Sequence, residues 1–450
     1  SAVQVGFIAG TLGIALSGLA DRFAASRIFV AGAVLGALAN AMMPLLAQSA
    51  GQAVIWRLLT GVALAGIYPM GMKLVVGWAP QRAGEMLGWL IGMLGLGTAL
   101  PHGVRLSGLG TSWQATIGVS SALALAGAMM VSLTFYALLG GADFGGGVWD
   151  LFASGERKKA QRELIAEAIG PIWEANHVWL ILVIVLLFTC FPAAFAAIST
   201  ALHIPLVLML MGIVLRGSAF TFRHYDNKAD NVQRRWGRVF SIASLITPIL
   251  LGVTVGAVSS GRIKMQAGLP VSGFVEPWLA LFPFAVGLFA LALFAFLAAV
   301  YLTVEAKDEK LREDFRLRAL ISAVVVGVMA LIVFLLSSNG ASVIRQDLSQ
   351  SVWTWPLQIA TAIAATGAIW FLWTRKFRLA QFCAAAQVTL ILWGWGAAMF
   401  PHLVVPDLTI QNAAAPAATL QLVLAALVAG SLLLFPSFYY LFRVFKTRPA

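Results

Sequence analysis

Residues 131–180 read VSLTFYALLGGADFGGGVWDLFASGERKKAQRELIAEAIGPIWEANHVWL, and this stretch decides the fold. An apolar run of spanning length leads into residues 140–147, which places the carboxylate of Asp143 among flexible glycines at the predicted end of the span. A basic, amphipathic segment follows, and Glu174 then stands at the mouth of the next apolar run. Acids inside or beside membrane spans are costly and commonly functional, so the stretch predicts a proton or quinone site near one membrane face.

The composition of the whole chain excludes a soluble globule. Of its 450 residues, 60% are hydrophobic and only 11% are charged, and the mean hydropathy is +0.89. These values are typical of a polytopic membrane protein. The formal charge of +12 comes from Lys and Arg clusters between apolar runs, without a nucleic-acid-binding motif, so it indicates topology. Cys190 and Cys383 lie inside apolar runs, which excludes a disulfide framework and a Cys-x-x-Cys-His haem attachment site.

Apolar runs of spanning length recur along the chain. A helix needs about 20 mostly apolar residues to cross a hydrocarbon core about 30 Å thick. The sequence therefore predicts an all-α polytopic membrane protein with about 13 transmembrane helices, in which all regular structure is helical. The predicted spans lie near residues 3–20, 28–47, 53–77, 85–101, 114–140, 177–197, 201–222, 237–260, 277–304, 317–337, 353–375, 378–400 and 417–444.

Basic residues predict how the chain is oriented. If the first loop, residues 21–27, is cytoplasmic, the main basic clusters all fall on the cytoplasmic side. From residue 131 onward only Arg262, Lys264 and Arg345 fall outside. This positive-inside bias predicts an external N-terminus and a cytoplasmic C-terminus. The cytoplasmic clusters lie at residues 157–159, 234–238, 310–318, 375–378 and 443–448.

Motifs at both ends of the C-terminal part carry a family resemblance. Residues 140–151, GGADFGGGVWDL, and residues 170–180, GPIWEANHVWL, resemble the start of subunit II of a cytochrome bd-type quinol oxidase. Residues 400–416, with Phe-Pro-His, Pro-Asp-Leu-Thr-Ile and Ala-Ala-Ala-Pro, resemble the last external loop of that family. The resemblance covers residues 122–450 and implies nine spans, arranged as two four-helix bundles plus a peripheral helix.

The resemblance also implies a function. It implies a non-haem subunit of a terminal quinol oxidase, a complex that oxidises quinol and reduces O2 to water. A partner, subunit I, is expected to carry haems b and d, so this chain is expected to bind no haem through its own ligands. A structural quinone and small accessory membrane subunits are further expectations. The implied location is the bacterial cytoplasmic (inner) membrane, and nucleic acid is not an expected partner.

Four charged residues are the candidate site. The resemblance implies that Asp143 and Glu174 conduct protons from the cytoplasm; alternatively, Asp143 caps a turn and Glu174 complements a helix dipole. Arg216 lies inside an apolar run, where an unpaired charge costs about 2.5 kcal/mol or more. Either it forms a structural ion pair or extends to the interface, or, as the resemblance implies for the matching arginine, it contacts a quinone or the acids. Arg223, seven residues later, lies on the same helical face, is predicted at the cytoplasmic interface, and is a second candidate for an ion pair or a quinone contact.

The histidines argue against haem ligation by this chain. A haem held by two axial ligands needs them to face one another across a bundle at similar depth. None of the five histidines offers an obvious facing pair, so they are predicted to be interfacial, and no metal ligand is predicted. The five are His102, His177, His203, His224 and His402.

The first 121 residues carry a second resemblance. Residues 17–23, SGLADRF, and Arg57 with Gly61 resemble the loop motif and the Arg-x-x-x-Gly of a major facilitator superfamily transporter. The likeness covers only about the second to sixth helices of a twelve-helix fold. We therefore predict two domains, a partial transporter-like segment at 1–121 and the oxidase-like domain at 122–450. A secondary transporter is the alternative function, and it rests on the first domain alone.

Overall fold

A computed structural model of the chain provides the structure. It describes residues 2–17, 19–23, 25–47, 49–78, 113–169, 173–225, 230–266, 269–427 and 430. The chain divides into two compact units, one of Ser1–Leu125 with Ala414–Ala450 and the other of Ala126–Ala413. The predicted boundary between residues 121 and 122 remains a prediction.

The structure contains sixteen helices among its described residues. The first unit contains α1 (Ala2–Ser17), α2 (Leu19–Arg22), α3 (Ala25–Leu46) and α4 (Ala50–Trp78). Next come α5 (Trp113–Leu151), α6 (Lys158–Ile169), α7 (Trp173–Cys190), α8 (Pro192–Ala201), α9 (His203–Tyr225) and α10 (Asp230–Ser259). The remaining helices are α11 (Leu281–Glu305), α12 (Glu309–Gly340), α13 (Ser342–Gln350), α14 (Thr354–Trp373), α15 (Phe377–Met399) and α16 (Ala417–Leu427).

Helix α4 is the centre of the N-terminal helices and packs against both α1 and α3. Small residues permit the closest approach, since a Cβ added to Gly61 would lie 2.1 Å from the carbonyl oxygen of Val3. Arg57 Nη1 donates a hydrogen bond to Asn40 Oδ1 at 3.4 Å, which links α4 to α3. Arg57 therefore contacts a neighbouring helix, as expected of a packing residue.

Helix α5 continues beyond the point at which the sequence predicted its end. The predicted span stopped at residue 140, whereas α5 runs without a break through residues 140–147 to Leu151. The interpretation of Asp143 as a cap at the end of a span is therefore wrong. Glycines are unfavourable in an isolated helix, but here neighbouring helices pack so closely that side chains would not fit.

Helices α7 and α8 replace one predicted span. The apolar run at 177–197 was predicted to be continuous, but the helix stops at Cys190, and α8 leaves at an angle of 117°. Pro192 accounts for the break, because proline lacks the backbone N–H and restricts the preceding residue. Phe191 accordingly has φ −135° and ψ 59°, which is not helical.

The helices of the second unit form two groups of four. Helices α5, α7, α9 and α10 surround a polar centre, described below. Helices α11, α12, α14 and α15 share an apolar centre. This arrangement agrees with the predicted pair of four-helix bundles. The apolar centre includes Leu297, Val300, Ala319, Val326, Ala368, Leu372, Ala380 and Ala384.

Short strands in the loops correct the prediction that all regular structure is helical. Met265–Gln266 pairs antiparallel with Leu269–Pro270, and His402–Val404 pairs with Leu408–Thr409. The carboxylate of Asp407 accepts a hydrogen bond from the backbone N–H of Met265 at 2.9 Å. Backbone groups outside helices need partners, and these pairings supply them.

The number of spans can be compared with the prediction only in part. Among the described residues, eight helices are long and apolar enough to cross a membrane, or nine if the bent pair α7–α8 is one span. The predicted span at 85–101 and the end of the predicted span at 417–444 lie outside the described residues. An all-α membrane fold is confirmed, and the count of 13 remains a prediction.

Candidate functional site: a buried ion pair

The polar centre of the second unit is an ion pair between Asp143 on α5 and Arg216 on α9. The side chain of Asp143 is fully buried and that of Arg216 is 2% exposed. Arg216 Nη1 donates to Asp143 Oδ2 at 2.7 Å, and Nη2 donates to Asp143 Oδ1. Nη2 also donates to the main-chain carbonyl of Asp143 at 3.0 Å. This two-point contact is the geometry in which arginine binds a carboxylate most strongly.

Two further helices complete the hydrogen bonds of the pair. Asn176 on α7 donates from Nδ2 to Asp143 Oδ2 at 2.7 Å. Ser244 on α10 accepts a hydrogen bond from Arg216 Nε at 2.9 Å. Asn176 and Ser244 are both fully buried. One ion pair thus joins α5, α7, α9 and α10, and a buried pair is tolerated when its remaining hydrogen-bonding groups are satisfied in this way.

Aromatic rings enclose the guanidinium. The Cζ atom of Arg216 lies 4.7 Å from the ring centroid of Phe144 and 4.8 Å from that of Phe240. Both rings are buried. Cation–π contacts of this kind are strongest where water is excluded. The two rings therefore stabilise the positive charge of Arg216 and also keep water away from it.

Glycines around Asp143 allow the neighbouring helices to approach. A Cβ added to Gly145 would lie 2.0 Å from the carbonyl oxygen of Phe294 on α11. One added to Gly147 would lie 2.1 Å from Ser244 Oγ, the atom that binds Arg216. Real Cβ atoms do not occur at such distances, so a larger residue would push these helices apart. The glycines are therefore contact surfaces that bring Ser244 and Arg216 to Asp143.

Helix α6 covers the end of α5. Ile165 and Ile169 are buried, and a Cβ added to Gly146 would lie 2.6 Å from Ile169 Cδ1. On its other side α6 is held to α12, because Gln161 donates to Asp314 Oδ2 at 2.9 Å, and Arg157, the residue before α6, donates to the same carboxylate at 2.6 and 2.9 Å. The hydrogen bonds from Arg157 raise the pKa of its guanidinium above its ordinary value. The amphipathic segment predicted from the sequence is thus a helix fixed at both faces.

Two buried polar atoms next to the ion pair have no hydrogen-bond partner among the described residues: the hydroxyl of Tyr136 and Asn176 Oδ1. Tyr136 lies seven residues before Asp143 on the same face of α5, and it is 1% exposed. Buried polar groups normally bind protein or water, so the polar centre extends beyond Asp143 on this side.

For two of the four predicted site residues the structure does not describe the side chain, so their place in the site stays a prediction. Glu174 belongs to the first turn of α7 and Arg223 to the last turns of α9, but their side chains lie outside the described residues. Asp143 and Arg216, predicted separately from their cost inside apolar runs, are in direct contact. The sequence analysis did not select Asn176 or Ser244. A polar residue in an otherwise apolar helix was the available signal for both.

Within the described part of the chain, no three His, Cys, Asp or Glu side chains gather as possible metal ligands. His177 on α7 is half-buried. His203, at the start of α9, packs edge-on against Phe274 with ring centroids 4.9 Å apart. His102 and the side chain of His224 lie outside the described residues, and the absence of haem ligation by this chain stays a prediction.

Known proteins share this fold and sequence. The chain is 21% identical over 320 residues to the putative cytochrome bd menaquinol oxidase subunit II of Bacillus subtilis, covering 69% of this chain and 91% of that protein. It is 26% identical to the Escherichia coli K12 cytochrome bd-I ubiquinol oxidase subunit 2 over 46% of this chain and 53% of that protein. A chain of the Geobacillus thermodenitrificans bd oxidase structure matches with a TM-score of 0.60 at 20% identity, over 73% of this chain and 100% of its own length.

Fold and site together define a polytopic α-helical membrane protein in which helices α5, α7, α9 and α10 meet at one buried, hydrogen-bonded ion pair. The sequence profile of the family described as cytochrome bd terminal oxidase subunit II matches residues 121–445. The chain belongs to this family, which confirms the resemblance drawn from the motifs at 140–151 and 170–180. The transporter-like resemblance of the N-terminal segment remains a prediction.

Proposed function

We propose that the chain is the non-haem subunit of a bd-type terminal quinol oxidase in a bacterial cytoplasmic membrane. The observation that carries the proposal is the family match over residues 121–445, together with a relative matched over 91% of its length and named as a menaquinol oxidase subunit. In such a complex quinol is oxidised and O2 is reduced to water. The orientation with the N-terminus outside and the C-terminus inside belongs to the same proposal.

A haem-bearing subunit I is the proposed partner, and small accessory subunits are possible additions to the complex. Haems b and d supply the electron transfer and oxygen chemistry when bound, and we place them in subunit I. The chain itself supplies a scaffold, in which the Asp143–Arg216 pair fixes the relative positions of four helices. On this proposal the chain alone is inactive.

A proton path along α5 and α7 is the second part of the proposal, with Asp143 and Glu174 as its acids. Asp143 and Arg216 form a pair that is neutral overall, so the path runs past the pair without meeting an unbalanced buried charge. For Arg216 the contacts support the ion-pair interpretation over contact with a quinone. For Arg223 both interpretations stay open.

Co-purification with haem tests the proposal. The chain should be tagged at its C-terminus, produced in its native membrane together with its partner subunits, and purified through the tag. The purified material is then examined by a reduced-minus-oxidised difference spectrum. We expect haem bands and a co-purifying membrane subunit. The same tagged chain produced without a partner should contain no stoichiometric haem. A preparation from the native membrane that lacks both haem and a second subunit would refute the proposal.

A further inference from the structure

Asp150 is a second buried carboxylate on α5, and it was not selected from the sequence. Its side chain is 1% exposed. Asp150 follows Asp143 by seven residues, as Asp143 follows Tyr136, so all three side chains lie on one face of the helix. Seven residues rise about 10 Å along the axis, and the three groups therefore form a polar line about 20 Å long.

Toward the surface, Asp150 meets Arg162 of helix α6. Arg162 donates from Nε and Nη2 to the main-chain carbonyl of Asp150, at 3.3 Å each. Its Nε lies 3.7 Å from Asp150 Oδ1, and its side chain is 35% exposed. The carboxylate is thus one side chain away from water. Arg162 therefore binds this carboxylate less closely than Arg216 binds Asp143, where the guanidinium donates to both carboxylate oxygens.

Toward the interior, Asp150 meets Ser241 of α10. Ser241 Oγ lies 3.0 Å from Asp150 Oδ2, and it is buried. Ser244, one turn further along α10, accepts the hydrogen bond from Arg216. Asp150, Ser241, Ser244, Arg216 and Asp143 therefore form a polar file: Asp150 contacts Ser241, Ser244 contacts Arg216 and Arg216 contacts Asp143, while Ser241 and Ser244 lie one helical turn apart on α10.

The hydroxyl of Ser241 suits either charge state of Asp150. It has two acceptors in reach, Asp150 Oδ2 at 3.0 Å and the carbonyl oxygen of Gly237 at 2.9 Å. When Asp150 is ionised, the hydroxyl can donate to the carboxylate. When Asp150 is protonated, the acid can donate to Ser241 Oγ while the hydroxyl hydrogen turns to Gly237. Both states keep their hydrogen bonds, so neither leaves a buried polar group at this position without a partner.

We propose that Asp150 is the proton-exchanging carboxylate at the surface end of this file; the inference rests on the proposed oxidase function. Asp150 takes one proton from hydrated protons at the Arg162 rim, forming an O–H bond and the neutral acid. It then gives that proton up on its inner side and becomes a carboxylate again; the acceptor is a water molecule held at the polar centre, where the Tyr136 hydroxyl and Asn176 Oδ1 lack a partner among the described residues. The Asp143–Arg216 pair is neutral overall, so it does not oppose the proton as an unpaired arginine would.

Two substitutions at Asp150 distinguish proton exchange from a structural role. Asn has the size of Asp and can still accept from Ser241, but it cannot titrate. Glu can titrate but is one methylene too long for the packing. In the purified oxidase complex we expect Asp150→Asn to keep its haem and to lose at least about tenfold in quinol-driven oxygen uptake. Asp150→Glu should stay within about threefold of the unmodified complex, because a titratable group remains. A structural role predicts the reverse order.

Asp314→Asn is the matched control, because Asp314 also pairs with an arginine, Arg157 immediately before α6, but lies outside the file. Its uptake should equal that of the unmodified complex. Normal uptake with Asp150→Asn would overturn the inference. If that variant does not assemble, Asp150→Glu decides: retained uptake supports the inference, and lost uptake or lost assembly overturns it. An unmodified complex without quinol-driven uptake would instead refute the proposed function.

Discussion

At the scale of single residues, the buried charged side chains are the part of the site that the sequence predicted. The sequence identified Asp143 and Arg216 because a charge in an apolar run demands an explanation, and this argument needs no structure. It left open whether Arg216 contacts Asp143 or another partner, since the two residues are 73 residues apart and on different helices. It did not select Ser244 or Asn176, because serine and asparagine are tolerated in apolar helices for many reasons. The two seven-residue steps from Tyr136 to Asp143 and from Asp143 to Asp150 were a usable signal that the sequence analysis did not take up.

The first prediction concerns this pair. Asp143→Asn leaves the guanidinium of Arg216 buried without its counter-charge, and breaking such a pair costs about 3–5 kcal/mol. The double variant Asp143→Asn with Arg216→Gln removes both charges, so it should be less destabilised than Asp143→Asn alone. The measurement is the thermal unfolding midpoint of the purified complex for the two single variants and the double variant. If the midpoint of the double variant falls by the sum of the decreases in the two single variants, the two residues are not coupled.

The same reasoning limits what Asp143→Asn can reveal about protons. Slower turnover in that variant could follow from the loss of the ion pair alone. Comparison with the double variant separates the two causes, because both lack the carboxylate and only the single variant carries an unpaired charge.

At the scale of helices, length and hydropathy predicted where spans occur but not where they end. The Gly-rich segment at 140–147 has low helix propensity, which favoured a turn. Packing against α10 and α11 overrides that propensity, since only glycine allows the observed approach. The opposite error was made at Pro192. There the sequence predicted one continuous span from the apolar run, whereas the structure has two helices that meet at an angle of 117°. Helix propensity and hydropathy describe single residues and short windows. The continuous helix at 140–147 depends on packing against other helices, and the break at Pro192 depends on backbone geometry, so neither quantity predicts them.

The second prediction tests the close packing of α5. Gly145→Ala would place a Cβ 2.0 Å from the carbonyl oxygen of Phe294 and 2.7 Å from Ala298 Cβ. Because α11 must move away, we expect a loss of about 1–3 kcal/mol. The unfolding midpoint of the complex is the measurement. Gly127→Ala is the control on the same helix, since its Cβ would meet nothing within 4 Å. Equal midpoints for the two variants would contradict the packing argument.

At the scale of the whole molecule, composition alone defined a polytopic membrane protein, and two motifs were enough to indicate the family. The two groups of four helices followed from that resemblance and not from periodicity, because helices that are apolar all round do not show which faces meet. The loop strands were missed since two- or three-residue pairings leave no pattern in the sequence. The role of the transporter-like N-terminal segment stays a prediction, as does the division at residue 121.

Quinol-driven oxygen uptake is the most direct test of the central claim that this chain is a subunit of a bd-type oxidase. The complex should be purified through a tag on this chain, and uptake should be followed with an oxygen electrode before and after quinol is added. We predict uptake that starts with quinol and is absent from the chain produced without its partner. A complete preparation from the native membrane that consumes no oxygen with quinol would contradict the account.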